Sequence, residues 1–263
     1  MTDNNAARLG EIFFHRGDLC KARDCYIQAV NETRQRGSEE ALAHMLGNLG
    51  NVYALLEDHT TAEAHYQEVL SLQRTQNAWD AIGQTLVNLG NLKADTGKAE
   101  SAIAYYLEAR DILLQQQNEQ ALGTLYTNLA LQEIHLGQST EAIEHFQLAL
   151  NYHRKIGNED GLAATYAQLG KAYVITGQLK NAEACLNNAS EHFIKLANKP
   201  GEAGALRLLA DVYRQRGDTV SALRCIEQAI EIDQRYSLPQ YEEDQQFRDQ
   251  LDDSASKSNP ARR

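Results

Sequence analysis

The sequence predicts an all-α solenoid of six helix–turn–helix repeats followed by a C-terminal capping helix. Three recurrences predict it. A leucine returns at a step of 40 positions as Leu9, Leu49, Leu89, Leu129, Leu169 and Leu209. The next residue is always small: Gly10, Gly50, Gly90, Ala130, Gly170 and Ala210. An alanine series, Ala22, Ala62, Ala102, Ala142, Ala182 and Ala222, leads in each unit to a large apolar residue, Tyr26, Tyr66, Tyr106, Phe146, Leu186 or Ile226. Six units in one register exclude coincidence.

Within a unit the pattern splits into two amphipathic helices, A and B. Leu46, Leu49, Gly50 and Tyr53 fall at i, i+3, i+4 and i+7, which is one helical stripe, and Ala62, Tyr66 and Val69 form the stripe of helix B. Gly17, Gly97, Gly137, Gly177 and Gly217 stand between A and B, where glycine ends a helix in the left-handed conformation; the second unit has Glu57 and is expected to turn differently. A glycine inside a helix costs about 1 kcal/mol relative to alanine, so its return after the leucine needs a compensating contact. The expectation is a notch pressed against the alanine of helix B, with the residue at Tyr66 and its equivalents reaching towards the next unit.

Short turns join the units: Arg36-Gly37-Ser38, Gln76-Asn77, Gln117-Asn118, Gly157-Asn158 and Asn198-Lys199-Pro200-Gly201, with Pro200 expected to stop the helix before it. None is long enough for an interdomain linker, so residues 4–236 read as one solenoid. Residues 237–251 read as a cap helix, with Pro239 near its start and Tyr241, Phe247 and Leu251 among charges; residues 252–263 read as a disordered tail.

Composition narrows function. A formal net charge of −11 opposes a phosphate-binding surface and docking on anionic lipid, so neither nucleic acid nor membrane insertion is expected. Cys20, Cys25, Cys185 and Cys225 form no Cys-x-x-Cys pair, which leaves free thiols, no metal and a reducing compartment. The N-terminus lacks a basic stretch followed by an apolar run, and no apolar run approaches membrane length, so the cytoplasm is the expected location and the sequons at Asn31 and Asn188 carry no weight. No Gly-x-Ser-x-Gly or His-Glu-x-x-His occurs, and the Gly90 to Gly97-Lys98 stretch is too long for a phosphate loop and lies in a helix–turn–helix, so no enzyme and no cofactor are expected.

Leu46, Leu49-Gly50, Tyr53, Ala62, Tyr66 and Val69, repeated as Tyr166, Leu169-Gly170, Tyr173, Ala182, Leu186 and Ala189, resemble the tetratricopeptide repeat over nearly the whole chain. The usual unit has 34 residues; the longer step here is similar to the variant in kinesin light chains, Pins-type spindle adaptors and bacterial signalling regulators. The resemblance implies a right-handed superhelix whose A helices line a concave groove. Carried over by position, the groove takes Asn48, Asn51, Ala54 and Leu55, then Asn88, Asn91 and Asp95, then Thr127, Asn128, Leu131 and His135, and then Gln168, Lys171, Val174 and Ile175. Lys93 and Glu133 depart from the aromatic found at Phe13, Tyr53, Tyr173 and Tyr213: either the middle of the stack packs less tightly, or, the favoured reading, the two charges face each other across neighbouring units.

The Asn48–Asn88–Asn128 ladder offers donors and acceptors to a peptide backbone, or else bonds within the stack; both readings stand at the level of sequence. Lys171 reads as a cation for a ligand carboxylate or as a solvated lysine. His15 and His135 hold equivalent positions and read as exposed histidines, and Cys25, Cys185 and Cys225 as thiols on the convex side. The expected function is an adaptor that holds an extended peptide or a helix of another protein in the groove. The alternatives are a self-assembling, homo-oligomeric scaffold and a peptide-responsive regulatory domain.

Overall fold

The computed structural model describes residues 5–258, with side chains described as far as Asp253. Every regular element among these residues is an α-helix. The chain divides into two compact units, Met1–Gln132 and Glu133–Arg263. The first holds α1 (Asn5–His15), α2 (Leu19–Arg36), α3 (Glu39–Leu55), α4 (His59–Thr75), α5 (Trp79–Asp95), α6 (Ala99–Gln115) and most of α7 (Glu119–His135). The second continues through α8 (Ser139–Lys155), α9 (Glu159–Ile175), α10 (Leu179–Lys195), α11 (Lys199–Gln215), α12 (Thr219–Tyr236) and α13 (Tyr241–Ser258).

In the first unit α1 packs on α2, α3 on α4 and α5 on α6 as A–B hairpins, while α2 meets α3 and α4 meets α5. The second unit repeats this order: α8 packs on α9, α9 on α10, α10 on α11, α11 on α12 and α12 on α13. Helix starts are set by side chains that accept backbone N–H groups: Asp18, Asp58 and Asp218 cap B helices, and Ser38, Asn158 and Asn198 cap A helices. Pro200 lies in the first turn of α11, so it begins that helix instead of ending α10.

The glycine notch exists, but its occupant differs from the expectation. A Cβ at Gly50 would lie 2.8 Å from the Tyr66 ring, and one at Gly90 closer still to Tyr106; Gly10 meets Tyr26 and Gly170 meets Leu186 in the same way. The large residue of helix B therefore fills the notch of its own hairpin. The facing alanine lies farther off than this side chain; at Gly170 its nearest approach is the Ala182 carbonyl at 3.6 Å. Tyr66 and Tyr106 are only 3% and 1% exposed as a result.

The turn at Glu57 is also a correction. Glu57 has φ 62°, and its N–H donates to the Ala54 carbonyl while Asp58 N–H donates to that of Tyr53. Gly97 and Lys98 make the same two bonds to Ala94 and Lys93. Glu57 is thus held in the conformation that glycine prefers, because two hydrogen bonds fix the turn whatever the side chain.

Lys93 and Glu133 are not partners of each other. Lys93 Nζ pairs with Glu63 on the preceding B helix, and Glu133 bonds His145 at 2.8 Å on the following one. Each charge sits where the other hairpins place an aromatic, and its partner replaces apolar packing; Tyr213 likewise donates to Glu183, in the same register as Lys93 to Glu63. Cys225, expected on the surface, is 6% exposed, because that position of helix B faces the A helix of its own hairpin, as the stack of His65 on Tyr53 at 5.5 Å also shows. Burial pushes the Cys225 and Cys185 thiols up, Cys185 to about 11.

At the C-terminus α13 begins at Tyr241 and continues to Ser258, past the expected end at 251; the rest of the expected tail, 259–263, lies outside the described residues. Leu251 is buried, and a cluster of charges anchors the helix beside it. Arg207 of α11 gives Nη2 to both oxygens of Asp233 on α12 and Nε to Asp244 on α13, each at 2.6 Å. Asp233 and Asp244 are 0% and 4% exposed. Burial pushes the Asp244 carboxyl up to about 6; Arg207 opposes the rise and the Asp233 carboxylate adds to it.

Candidate peptide-binding face

In the first unit, α3, α5 and α7 present one stripe each. Asn48, Asn51 and Leu55 are spaced i, i+3 and i+7 on α3, and Asn88, Asn91 and Asp95 repeat the spacing on α5. Thr127, Asn128 and Leu131, all half-buried, continue it on α7. The stripes of α3 and α5 border hollows rather than a flat wall; Thr127, Asn128 and Leu131 line none of those described below. A cavity of about 420 Å³ is lined by Arg8, Phe14, His15, His44 and Asn48. A second, about 270 Å³, lies between α3 and α5 and takes in Phe14, Asn51, Leu55, Asn88, Asn91 and Asp95. A third, about 590 Å³, is lined by His44, Met45, Gln73, Gln76, Ala78 and Ala81. The exposed Trp79, sole tryptophan of the chain, follows Ala78 at the start of α5.

The asparagines fall into two classes. The hydroxyl of Tyr66 donates to Asn51 Oδ1 and that of Tyr106 to Asn91 Oδ1, both at 2.7 Å. Burial pushes both phenols up, and the Asp95 carboxylate adds to the rise, so they remain donors. With their oxygens engaged, the two carboxamides keep their N–H groups for another acceptor. Asn128 Nδ2 donates to Asn91 Oδ1 at 2.8 Å, so this rung of the ladder bonds within the stack. Asn88 accepts only a long bond, 3.4 Å, from Gln84 on its own helix. Thr127 Oγ1 returns to the Gly123 carbonyl.

In the second unit the face changes chemistry. Lys171 is exposed and lines a cavity of about 330 Å³ with Ala167, Phe193, Gly201, Gly204 and Arg207. Gln168 is half-buried, Ile175 is 62% exposed and His135 is exposed. The structure thus brings Asn51, Leu55, Asn88, Asn91 and Asp95 to one cavity and places Asn48 in another of the same unit. Lys171 lines a cavity of its own unit, and Gln168, Ile175 and His135 line none of these hollows.

Phe14 borders two cavities and was not among the expected residues, although it stands 40 positions before Ala54 and the repeat step points to it. The tyrosine–asparagine bond also had a signal. Where helix B offers Tyr66 or Tyr106, the residue after the small one is Asn51 or Asn91; where it offers Phe146 that residue is Leu131, while Tyr26 of the first hairpin goes with Glu11. Among the described residues no group of three or more His, Cys, Asp or Glu side chains could hold a metal ion, and no helix is long and apolar enough to cross a membrane.

A family model described as tetratricopeptide repeat matches residues 2–75, 41–115, 121–187 and 162–235. None of the curated proteins matches the chain. Among solved structures, BtubC (BKLC) from P. vanneervenii has a TM-score of 0.77 at 20% identity, covering 83% of this chain and 92% of that one. The STAND protein PH0952 from Pyrococcus horikoshii, an ATPase with a tetratricopeptide repeat sensor, has a TM-score of 0.82 at 18% identity over 94% of this chain; this chain spans only 38% of its length. The Rap conjugation gene regulator of plasmid pLS20, in complex with the Phr* peptide, has a TM-score of 0.66 at 16% identity, covering 98% of this chain and 75% of that one. At these identities the likeness is one of fold.

Proposed function

The chain belongs to the tetratricopeptide repeat family, and from that premise we propose that it is a non-catalytic adaptor that holds an extended peptide or a helix of a partner protein on the A-helix face of its first unit. The observation that carries this reading is the cavity between α3 and α5, where carboxamides oriented by buried tyrosines stand beside exposed Leu55. Oriented amide donors bond main-chain carbonyls of an extended ligand, and the apolar walls take its side chains. Asn48, Asn51, Asn88, Asn91, Thr127 and Asn128 are the polar contacts of the proposed face; Leu55 and Leu131 are its apolar ones. In the second unit Gln168, Lys171 and Ile175, with His135, would form a separate contact of different chemistry. A peptide-responsive regulatory role is the second reading, supported by the likeness in fold to the pLS20 regulator bound to Phr* peptide.

The test uses the carboxamides least engaged in the stack. Changing Asn48 and Asn88 together to alanine is expected to weaken binding to a synthetic peptide array about tenfold, two hydrogen bonds of about 0.5–1.5 kcal/mol each, with the melting temperature unmoved. Undiminished binding of every peptide by the double variant refutes the assignment of this face.

A further inference from the structure

Resting on the groove reading above, we propose that the cavity between α3 and α5 is a subsite for a cationic group, an ammonium or guanidinium, carried by the bound peptide. The argument starts from Asp95, the last residue of α5. Carbonyls at a helix C-terminus carry partial negative charge, so a carboxylate there is unfavourable by about 0.3–1 kcal/mol. The equivalent residues in the other repeats are His15, Leu55, His135, Ile175 and Gln215, none of them acidic. Asp95 is exposed and makes no ion pair or hydrogen bond among the described residues; Lys93, the nearest cation on its helix, is taken by Glu63. The protein thus carries an unpaired anion where its own backbone disfavours one, on the rim of a hollow.

The rest of the hollow matches a long basic side chain. Phe14, Ala54, Leu55 and Leu92 supply apolar walls, and Leu55 is 57% exposed. The alkyl stems of lysine and arginine pack on such walls while the charged head stays at the polar rim. Asn51 and Asn91 have their oxygens occupied by tyrosine hydroxyls, so they offer donors, which suit a peptide carbonyl and not a cation. Asp95 is the one carboxylate of the lining and so the acceptor for the charge, with the weakly engaged Asn88 oxygen a neutral acceptor beside it.

The experiment is an array of nonapeptides whose central residue is lysine, arginine, leucine or glutamate, each with a free or an acetylated N-terminus. It is read with the wild-type chain, with Asp95→Asn and with the Asn48→Ala, Asn88→Ala double variant. At low salt the wild type is expected to prefer lysine or arginine over leucine about three- to fivefold, the range of an exposed ion pair, and the preference should fade in high salt. Asp95→Asn should erase the preference, leave leucine peptides bound as before and melt no lower than wild type. A preference that follows the free N-terminus instead of the central residue assigns the cation to the peptide's α-amine. If Asp95→Asn keeps the preference, or glutamate peptides bind as well as lysine peptides, the cation subsite is wrong while the groove reading stands. If no peptide binds the wild type, both fall.

Discussion

At the scale of single residues, the helical glycines separate into two kinds by what faces them. A Cβ at Gly90 would run into the Tyr106 ring, whereas a Cβ at Gly47 would meet nothing within 4 Å. Gly90→Ala is therefore expected to destabilise the protein by about 1–3 kcal/mol, because a buried ring must move. Gly47→Ala should stabilise it by up to about 1 kcal/mol through helix propensity. Chemical denaturation of the two variants beside wild type decides the matter; equal shifts would mean the notch is not the reason for glycine. The repeat step located Gly90 and its equivalents from the sequence, but not their occupants, since the step says which residues are equivalent and not which of them touch; Gly47 lies outside that series. The same gap explains Lys93 and Glu133: their departure from the aromatic was legible, while their partners Glu63 and His145 lie on flanking helices and depend on packing.

At the scale of elements, the register of A and B helices could be read from apolar spacing, but the C-terminal helix could not be read fully. Its sequence is sparse in apolar residues, and what docks it beside Leu251 is charge: partly exposed Arg207 binding the buried Asp233 and Asp244. No local pattern announces a triad drawn from three helices. Because Asp244 titrates near 6, above its ordinary value of 3.8, the folded state holds a proton that the unfolded chain has lost. This contribution is present at about pH 4, is lost as pH rises through about 6, and changes no further above that. Thermal melts of wild type and Asp244→Asn across pH 4–8 should show a wild-type advantage, relative to the variant, that shrinks with rising pH; a constant difference would contradict it.

At the scale of the molecule, tetratricopeptide repeats respond to damage locally, since each hairpin draws its stability from itself and its neighbours. Hydrogen exchange of the Gly90→Ala variant should accordingly speed by about tenfold in α5 and α6, while amides of α12 and α13 keep their wild-type rates. Acceleration spread evenly over the chain would show one cooperative block instead. The candidate face was legible in part: Asn48, Asn88 and Asn128 share a step, yet only the coordinates reveal that Asn128 is spent on Asn91 and that tyrosines orient Asn51 and Asn91. Each tyrosine–asparagine bond closes inside a single hairpin, α3 with α4 and α5 with α6. Each hairpin therefore sets its own carboxamide, although the hollow that the carboxamides border lies between neighbouring hairpins. Duplication or excision of a hairpin by recombination would then lengthen or shorten the proposed face in whole increments, each new rung arriving with its carboxamide already set.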